Sequence, residues 1–362
     1  YSSDVAIAIS LYSAAIYYES ATLTPWRLAG LGLLGAASVW FSHPSVFVLA
    51  GIGITLTFLC LPGRRWAKIA SLSIAYLPWG LSFAACYFIS LRHLASNNTL
   101  LGYWASYFVP SPIISVSSLE WFILTFFGIF KHPVGLEFSG LAALTFFFGC
   151  LSMFRSTRKN FFILISPVLV TLMAAVFHKY PFGERLLLFT TPVFLILIAE
   201  GTVQILSKIN GGASIVAVWL IGLLSLHPVL YSSYHLLTPR MREEIKPVMN
   251  YTREHTRDED ALYVYNAAIP AFQYYAPRFG LDRLKLVLGA DAKGNWENYE
   301  KDIEQLTDYR RVWVLFSHAR TLTGNDEEKF FLYLLNKRAA KVDYFKSHGA
   351  AVYLYNFDGG DR

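Results

Sequence analysis

Charge is scarce in this chain. Of its 362 residues 15% are charged and 54% hydrophobic, with mean hydropathy +0.40. A soluble domain carries about a quarter charged residues, so an ordinary water-soluble globule is excluded over most of the length. The deficit is local: 18 charged residues fall in positions 1–236 and 38 in 237–362. Cysteine is scarce as well. Cys60, Cys86 and Cys150 lie in apolar runs, so neither a disulfide framework nor a metal-ligand spacing follows from them. The first apolar run, "DVAIAISLYSAAIYY", has no basic n-region and no small-residue cleavage site, which argues against a signal peptide. The chain opens at Tyr1 without Met and reads as a protein whose N-terminal part is missing. No zinc-finger, RNP or basic-helix pattern accompanies the net charge of +6, so no nucleic-acid partner is implied. Internal repeats and low-complexity tracts are absent too.

What is present is a series of apolar segments near the length of about 20 residues that a spanning helix needs. They are 3–19, 26–41, 44–62, 69–91, 136–153, 160–177, 186–206 and 213–235, an α-helical multi-pass membrane bundle of about eight spans over 1–236. Pro78, Pro167, Pro192 and Pro228 fall inside spans, which membrane helices tolerate. Bases decide the orientation. Arg27, Arg64, Arg65, Lys68, Arg155, Arg158, Lys159 and Lys208 share one side, against Arg92, Lys131, Lys179 and Arg185 on the other. The richer side is cytoplasmic. Residues 92–135 then form an outer segment. In it "SSLEWFILTFFGIFKHP", with Ser117 and Glu120 at capping-box spacing, predicts an interfacial helix, a short span being the alternative.

From 237 to 362 the pattern alternates between helix and strand, and acids balance bases at 19 each. The order predicts a small three-layer α/β domain on the outer face, with a mainly parallel sheet, a helix broken near Pro247 and two closing strands around His348–Gly349. No Gly-rich phosphate loop follows its first strand, so a Rossmann nucleotide site is not expected. Asn97 and Asn250 fit the N-glycosylation pattern, which chance also produces.

The stretch "VFHKYPFGERLLLFTTPVF" sets His178, Lys179, Glu184 and Arg185 between two apolar runs. With the topology above, Tyr1, Asp4, His43, His178, Lys179, Tyr180, Glu184 and Arg185 all fall at the outer boundary. Ionisable groups there face a cavity or a partner. Each also has a plainer role. Asp4 serves equally as a helix cap, His43 beside Pro44 as a turn, Lys179 and Glu184 as a solvated pair, and Tyr180 as a belt aromatic. Arg185, at the head of an apolar helix, either snorkels to the interface or forks onto a phosphate.

The order "YSSDVAIA", "SHPSVF", "LGYWASYF", "HKYPFGERLLLFTTPVF" resembles the multi-pass GT-C glycosyltransferases. The likeness is to bacterial relatives of dolichyl-phosphate-mannose–protein mannosyltransferases and lipid A aminoarabinose transferases. It implies transfer of a sugar from a polyprenyl-phosphate donor to an acceptor (lipid, glycan or protein) at the outer face of a bacterial plasma membrane. By the same resemblance Arg185 contacts the carrier phosphate and "YSSD" makes Tyr1 and Asp4 site candidates. The family's main acidic motif is expected ahead of Tyr1.

The chemistry is coherent without the family. A lipid-phosphate leaving group needs positive charge, from Arg185, Lys179 or a divalent metal ion. The acceptor hydroxyl needs a carboxylate base, and Asp4 and Glu184 are this chain's candidates. His43, His178, Tyr180 and Tyr1 are candidates for holding the donor phosphate. A transporter or flippase of lipid-linked sugars and a polysaccharide polymerase or ligase are the rival functions.

Overall fold

The structure is a computed structural model that describes residues 1–20, 24–63, 66–92, 102–208, 213–239, 243–290, 296–319, 321–322 and 325–357. Arg64, Arg65 and Asn97 lie outside the described residues. Contacts divide the chain into two units, Tyr1–Tyr234 and His235–Arg362.

The first unit is helical. Its helices are α1 (Ser2–Ser20), α2 (Pro25–Phe41), α3 (Ser45–Cys60), α4 (Trp66–Cys86), α5 (Val116–Lys131), α6 (Ser139–Ser156), α7 (Arg158–Val176), α8 (Thr191–Ser207) and α9 (Ala213–Leu237). Among the described residues five stretches are long and apolar enough to cross a membrane: Trp66–Leu91, Ser139–Ser156, Arg158–Val176, Glu184–Ser207 and Ile215–Leu237. Three expected spans fall outside that set. The helices α2 and α3, of 17 and 16 residues, are short, and α1 is diluted by Ser2, Ser3, Asp4, Ser10, Ser13, Glu19 and Ser20. Hydroxyls inside the helices bond back to their own backbone, as from Ser38 to Leu34 O (2.7 Å) and from Thr171 to Pro167 O (2.7 Å). That satisfies them without water.

The helices pack in pairs, α2 along α4, α3 along α7 and α6 along α8. Large apolar side chains also cover the outside: Ile215, Val218, Trp219, Leu226 and Leu230 of α9 are all more than half exposed. Small residues set the closest crossing. A Cβ on Gly201 would lie 1.7 Å from Thr145 O, and one on Gly149 would lie 1.8 Å from Leu197 O. Such close backbone approach is how helices associate in lipid, where burial of apolar area gives no drive. Gly201→Ala is therefore expected to destabilise, although alanine favours a helix by about 1 kcal/mol. The atom it meets belongs to backbone and cannot swing away, so overpacking of roughly 1–3 kcal/mol wins. Thermal unfolding in detergent is the check, with Gly140→Ala, which meets nothing within 4 Å, as the control.

One end of this unit gathers expected inner-side bases. Lys159 at the head of α7 pairs with Glu19 at the tail of α1 (2.5 Å), and the Arg27 guanidinium lies 5.8 Å from the Tyr17 ring centre. The first turn of α1 is at the opposite end. There α5 has 16 residues and is capped by Ser115, whose hydroxyl accepts from Ser118 N at 3.1 Å. Ser117 is thus not the cap. Ser115 has the extended backbone a cap requires, while Ser117 already lies inside the helix.

The second unit is a three-layer α/β fold. Its helices are α10 (Ile245–His255), α11 (Ile269–Phe279), α12 (Trp296–Leu306) and α13 (Glu327–Asn336). Its strands are β1 (Ala261–Val264), β2 (Lys285–Leu288), β3 (Arg311–Ser317), the short pair β4 (Thr321–Leu322) and β5 (Asn325–Asp326), β6 (Ala340–Ser347) and β7 (Ala350–Asn356). The main sheet runs β2-β1-β3-β7-β6. It is parallel across β2-β1-β3 and antiparallel across β3-β7-β6, so it is mixed rather than mainly parallel. The two-residue turn at His348–Gly349 forces β6 and β7 antiparallel, because a connection that short joins only antiparallel strands, and the long-range pairing of β7 with β3 is antiparallel as well. Tyr251 of α10 packs on Trp313 and Phe345, while Tyr263 on the opposite face packs on Phe331 of α13. Pro247 does not break a helix. It sits in the first turn of α10, where its missing N–H has no partner to lose.

Candidate functional site

The turn between α7 and α8 is built on strained backbone. His178 and Glu184 both have positive φ, 54° and 45°. Non-glycine residues in that region cost on the order of 1–3 kcal/mol each, and such strain concentrates where geometry serves function. After Glu184 the chain winds as a 3-10 turn, Glu184–Thr190, before α8 begins. Tyr180 secures it by donating to Leu186 O at 3.0 Å while its ring packs on Phe47 at 4.6 Å. Burial, then the charge of Asp4, then Tyr1, push the Tyr180 phenol up. That coupling puts Tyr180, Asp4 and Tyr1 in one neighbourhood.

A second segment, Trp104–Phe108, lies against the turn residue by residue. Phe182 N donates to Tyr107 O at 2.8 Å. Phe108 stacks on His178 with ring centres 5.2 Å apart. Gly183 lies so close beneath Tyr107 that a Cβ there would sit 2.0 Å from the ring. Tyr107 is hydrogen-bonded to Glu184, and its phenol is pushed up to about 12, by burial first and then by that carboxylate and Tyr103. The phenol therefore stays protonated and donates to Glu184 through the physiological range.

Arg185 is exposed, and its guanidinium carbon lies 5.4 Å from the Trp104 ring centre and 5.7 Å from that of Tyr1. Among the described residues it has no carboxylate partner, and neither has Lys179, which is exposed on the same turn. Two aromatic faces orient this planar cation and leave its N–H groups unspent. Asp4 is 15% exposed on the first turn of α1, and that helix packs against the 3-10 turn carrying Arg185. The arrangement thus offers two unneutralised cations, two carboxylates and an aromatic wall at one end of the bundle.

Of the residues expected from the sequence, Tyr1, Asp4, Tyr180, Glu184 and Arg185 come together, with Lys179 and His178 on the same turn. His43 is exposed on the turn before α3, four residues from Phe47; its carbonyl accepts from Val46 N at 3.3 Å, and its imidazole makes no hydrogen bond or ion pair among the described residues. The sequence alone singles out no role for Trp104, Tyr107 or Phe108. Their aromatic density is visible there, but a membrane-belt role explains it equally well. Among the described residues no group of three or more His, Cys, Asp or Glu side chains is placed to hold a metal ion.

Comparison with known proteins finds no family model and no curated relative that matches the chain.

Proposed function

We propose that the chain is an integral membrane glycosyltransferase that moves a sugar from a polyprenyl-phosphate donor to an acceptor at the outer face of a bacterial plasma membrane. In this reading the first unit crosses the membrane about eight times, α1, α2 and α3 included. The turn 178–185 and the second unit lie outside. The observation that carries it is Arg185, an exposed guanidinium oriented by Trp104 and Tyr1 and lacking a carboxylate among the described residues. A cation left unneutralised beside apolar helices suits an anion delivered on a lipid.

The reaction balances with this chain's own groups. The acceptor oxygen forms a bond to the anomeric carbon as the bond from that carbon to the phosphate oxygen breaks. The acceptor proton passes to Asp4 or Glu184, and the negative charge left on the carrier phosphate is met by Arg185 and Lys179. Tyr107 holds the Glu184 carboxylate in position.

Donor turnover tests the reading. Membranes carrying the full-length protein are expected to release polyprenyl phosphate from a lipid-linked hexose or pentose, and membranes carrying it with Asp4→Asn and Glu184→Gln are not. Residues 1–362 alone, without the acidic motif expected ahead of Tyr1, are expected to show no transfer. Undiminished turnover by the double variant would remove both carboxylates from the mechanism. The orientation has its own check. In a Cys-free background, Ser156→Cys and Val342→Cys, both at exposed positions, are expected to label from opposite sides of the membrane. Labelling of both by an impermeant thiol reagent in intact cells contradicts the outer site.

A further inference from the structure

The second unit carries a surface that none of the preceding chemistry uses. On its α10–α11 layer Lys246 Nζ lies 5.0 Å from the Tyr275 ring centre, and the Arg278 guanidinium carbon lies 5.9 Å from the same ring and 5.2 Å from that of Tyr274. The two tyrosine rings meet edge to face at 4.8 Å, and Tyr274 is 64% exposed. Neither Lys246 nor Arg278 has an acidic partner among the described residues. The acids on and next to α10 are engaged elsewhere: Glu243 with His318, Glu244 with Ser347, and Glu254 with Asn250 and Arg253. At the edge of the sheet, Leu286 and Leu288 are 39% and 48% exposed. Their register opposite Leu262 and Val264 turns them to the face that α10 covers. The layer therefore combines unpaired cations, an exposed aromatic and exposed leucines.

That composition fits the interface of an anionic bilayer. Cations there gain from lipid phosphates, while tyrosine and leucine settle at the boundary between headgroup and acyl chain. Connectivity favours a bilayer over a soluble anion. The helix α9, long and apolar enough to cross a membrane, ends at Leu237, and α10 begins at Ile245. The seven residues between them extend at most about 25 Å. We propose that the Lys246–Tyr274–Tyr275–Arg278 surface docks the second unit onto anionic lipid headgroups. The inference rests on α9 crossing the membrane and is independent of glycosyl transfer.

The test uses the whole chain in nanodiscs, with a fluorophore on Gln273→Cys in a Cys-free background and a headgroup-linked quencher in the lipid. Quenching is expected to be strong in discs containing phosphatidylglycerol and weak in pure phosphatidylcholine. Each of Lys246→Gln and Arg278→Gln is expected to weaken the anionic-lipid-dependent docking about fivefold. The charge-preserving pair Lys246→Arg with Arg278→Lys is expected to retain it. Equal quenching in neutral and anionic discs overturns the proposal, as does undiminished quenching in the Gln variants. Failure of the chain to enter discs of either composition would sink the membrane reading itself.

Discussion

Replacing Arg185 by lysine is expected to lower donor turnover by about 10²–10³-fold, although the charge is kept. The magnitude is that of removing one fixed donor from a charge that develops in the transition state. Lysine offers a point charge, whereas Trp104 and Tyr1 hold a planar fork in one orientation. Stability should hardly change. Arg185 is exposed, and an exposed cation–π contact contributes only about 0.5–1 kcal/mol. Turnover and thermal unfolding measured on the same preparation separate the two effects. Wild-type turnover by purified Arg185→Ala would sink the phosphate role.

Gly183→Ala is expected to cost about 10²-fold in turnover through a residue that contributes no chemistry. The added Cβ would fall 2.0 Å from Cδ1 and 2.5 Å from Cε1 of Tyr107. The backbone at Gly183 is extended, which alanine adopts freely, so the effect is steric and not conformational. Relief requires Tyr107 to move, and with it go the bond to Glu184 and the seating of Trp104 over Arg185. A shift of about 1 Å in a positioned group is enough for a loss of that size. Turnover by Gly183→Ala equal to wild type would mean that the Trp104–Phe108 segment is not part of the site.

These two residues differ in how far the sequence announces them. Arg185 stands out there as a base heading an apolar helix, and Lys179 and Glu184 stand out as charges set between two apolar runs. Gly183, two residues after Pro181, reads as a sharp turn that brings Glu184 and Arg185 back toward a cavity, and Trp104, Tyr107 and Phe108 carry no individual role there. Their roles depend on two segments about 75 residues apart in the chain, 104–108 and 178–185, lying against each other. No periodicity encodes a contact of that kind. His43 shows the converse: its position in "SHPSVF" invites a site role, yet the turn leaves its imidazole exposed and without a hydrogen-bond or ion-pair partner among the described residues.

By itself the sequence determined what depends on composition and local geometry. Apolar runs of helical length form the helices of the first unit, and the two-residue turn at His348–Gly349 dictates an antiparallel closing pair. Such features follow from solvent preference and from backbone torsions within a few residues. Only the tertiary structure decided that Ser115 and not Ser117 caps α5, that Gly149 and Gly201 let α6 and α8 touch, and that β7 joins β3 to make the sheet mixed. It alone set an arginine between two aromatic rings from distant parts of the chain. Those outcomes turn on which surfaces meet, and that is settled by packing complementarity summed over many residues rather than by the preference of any one segment.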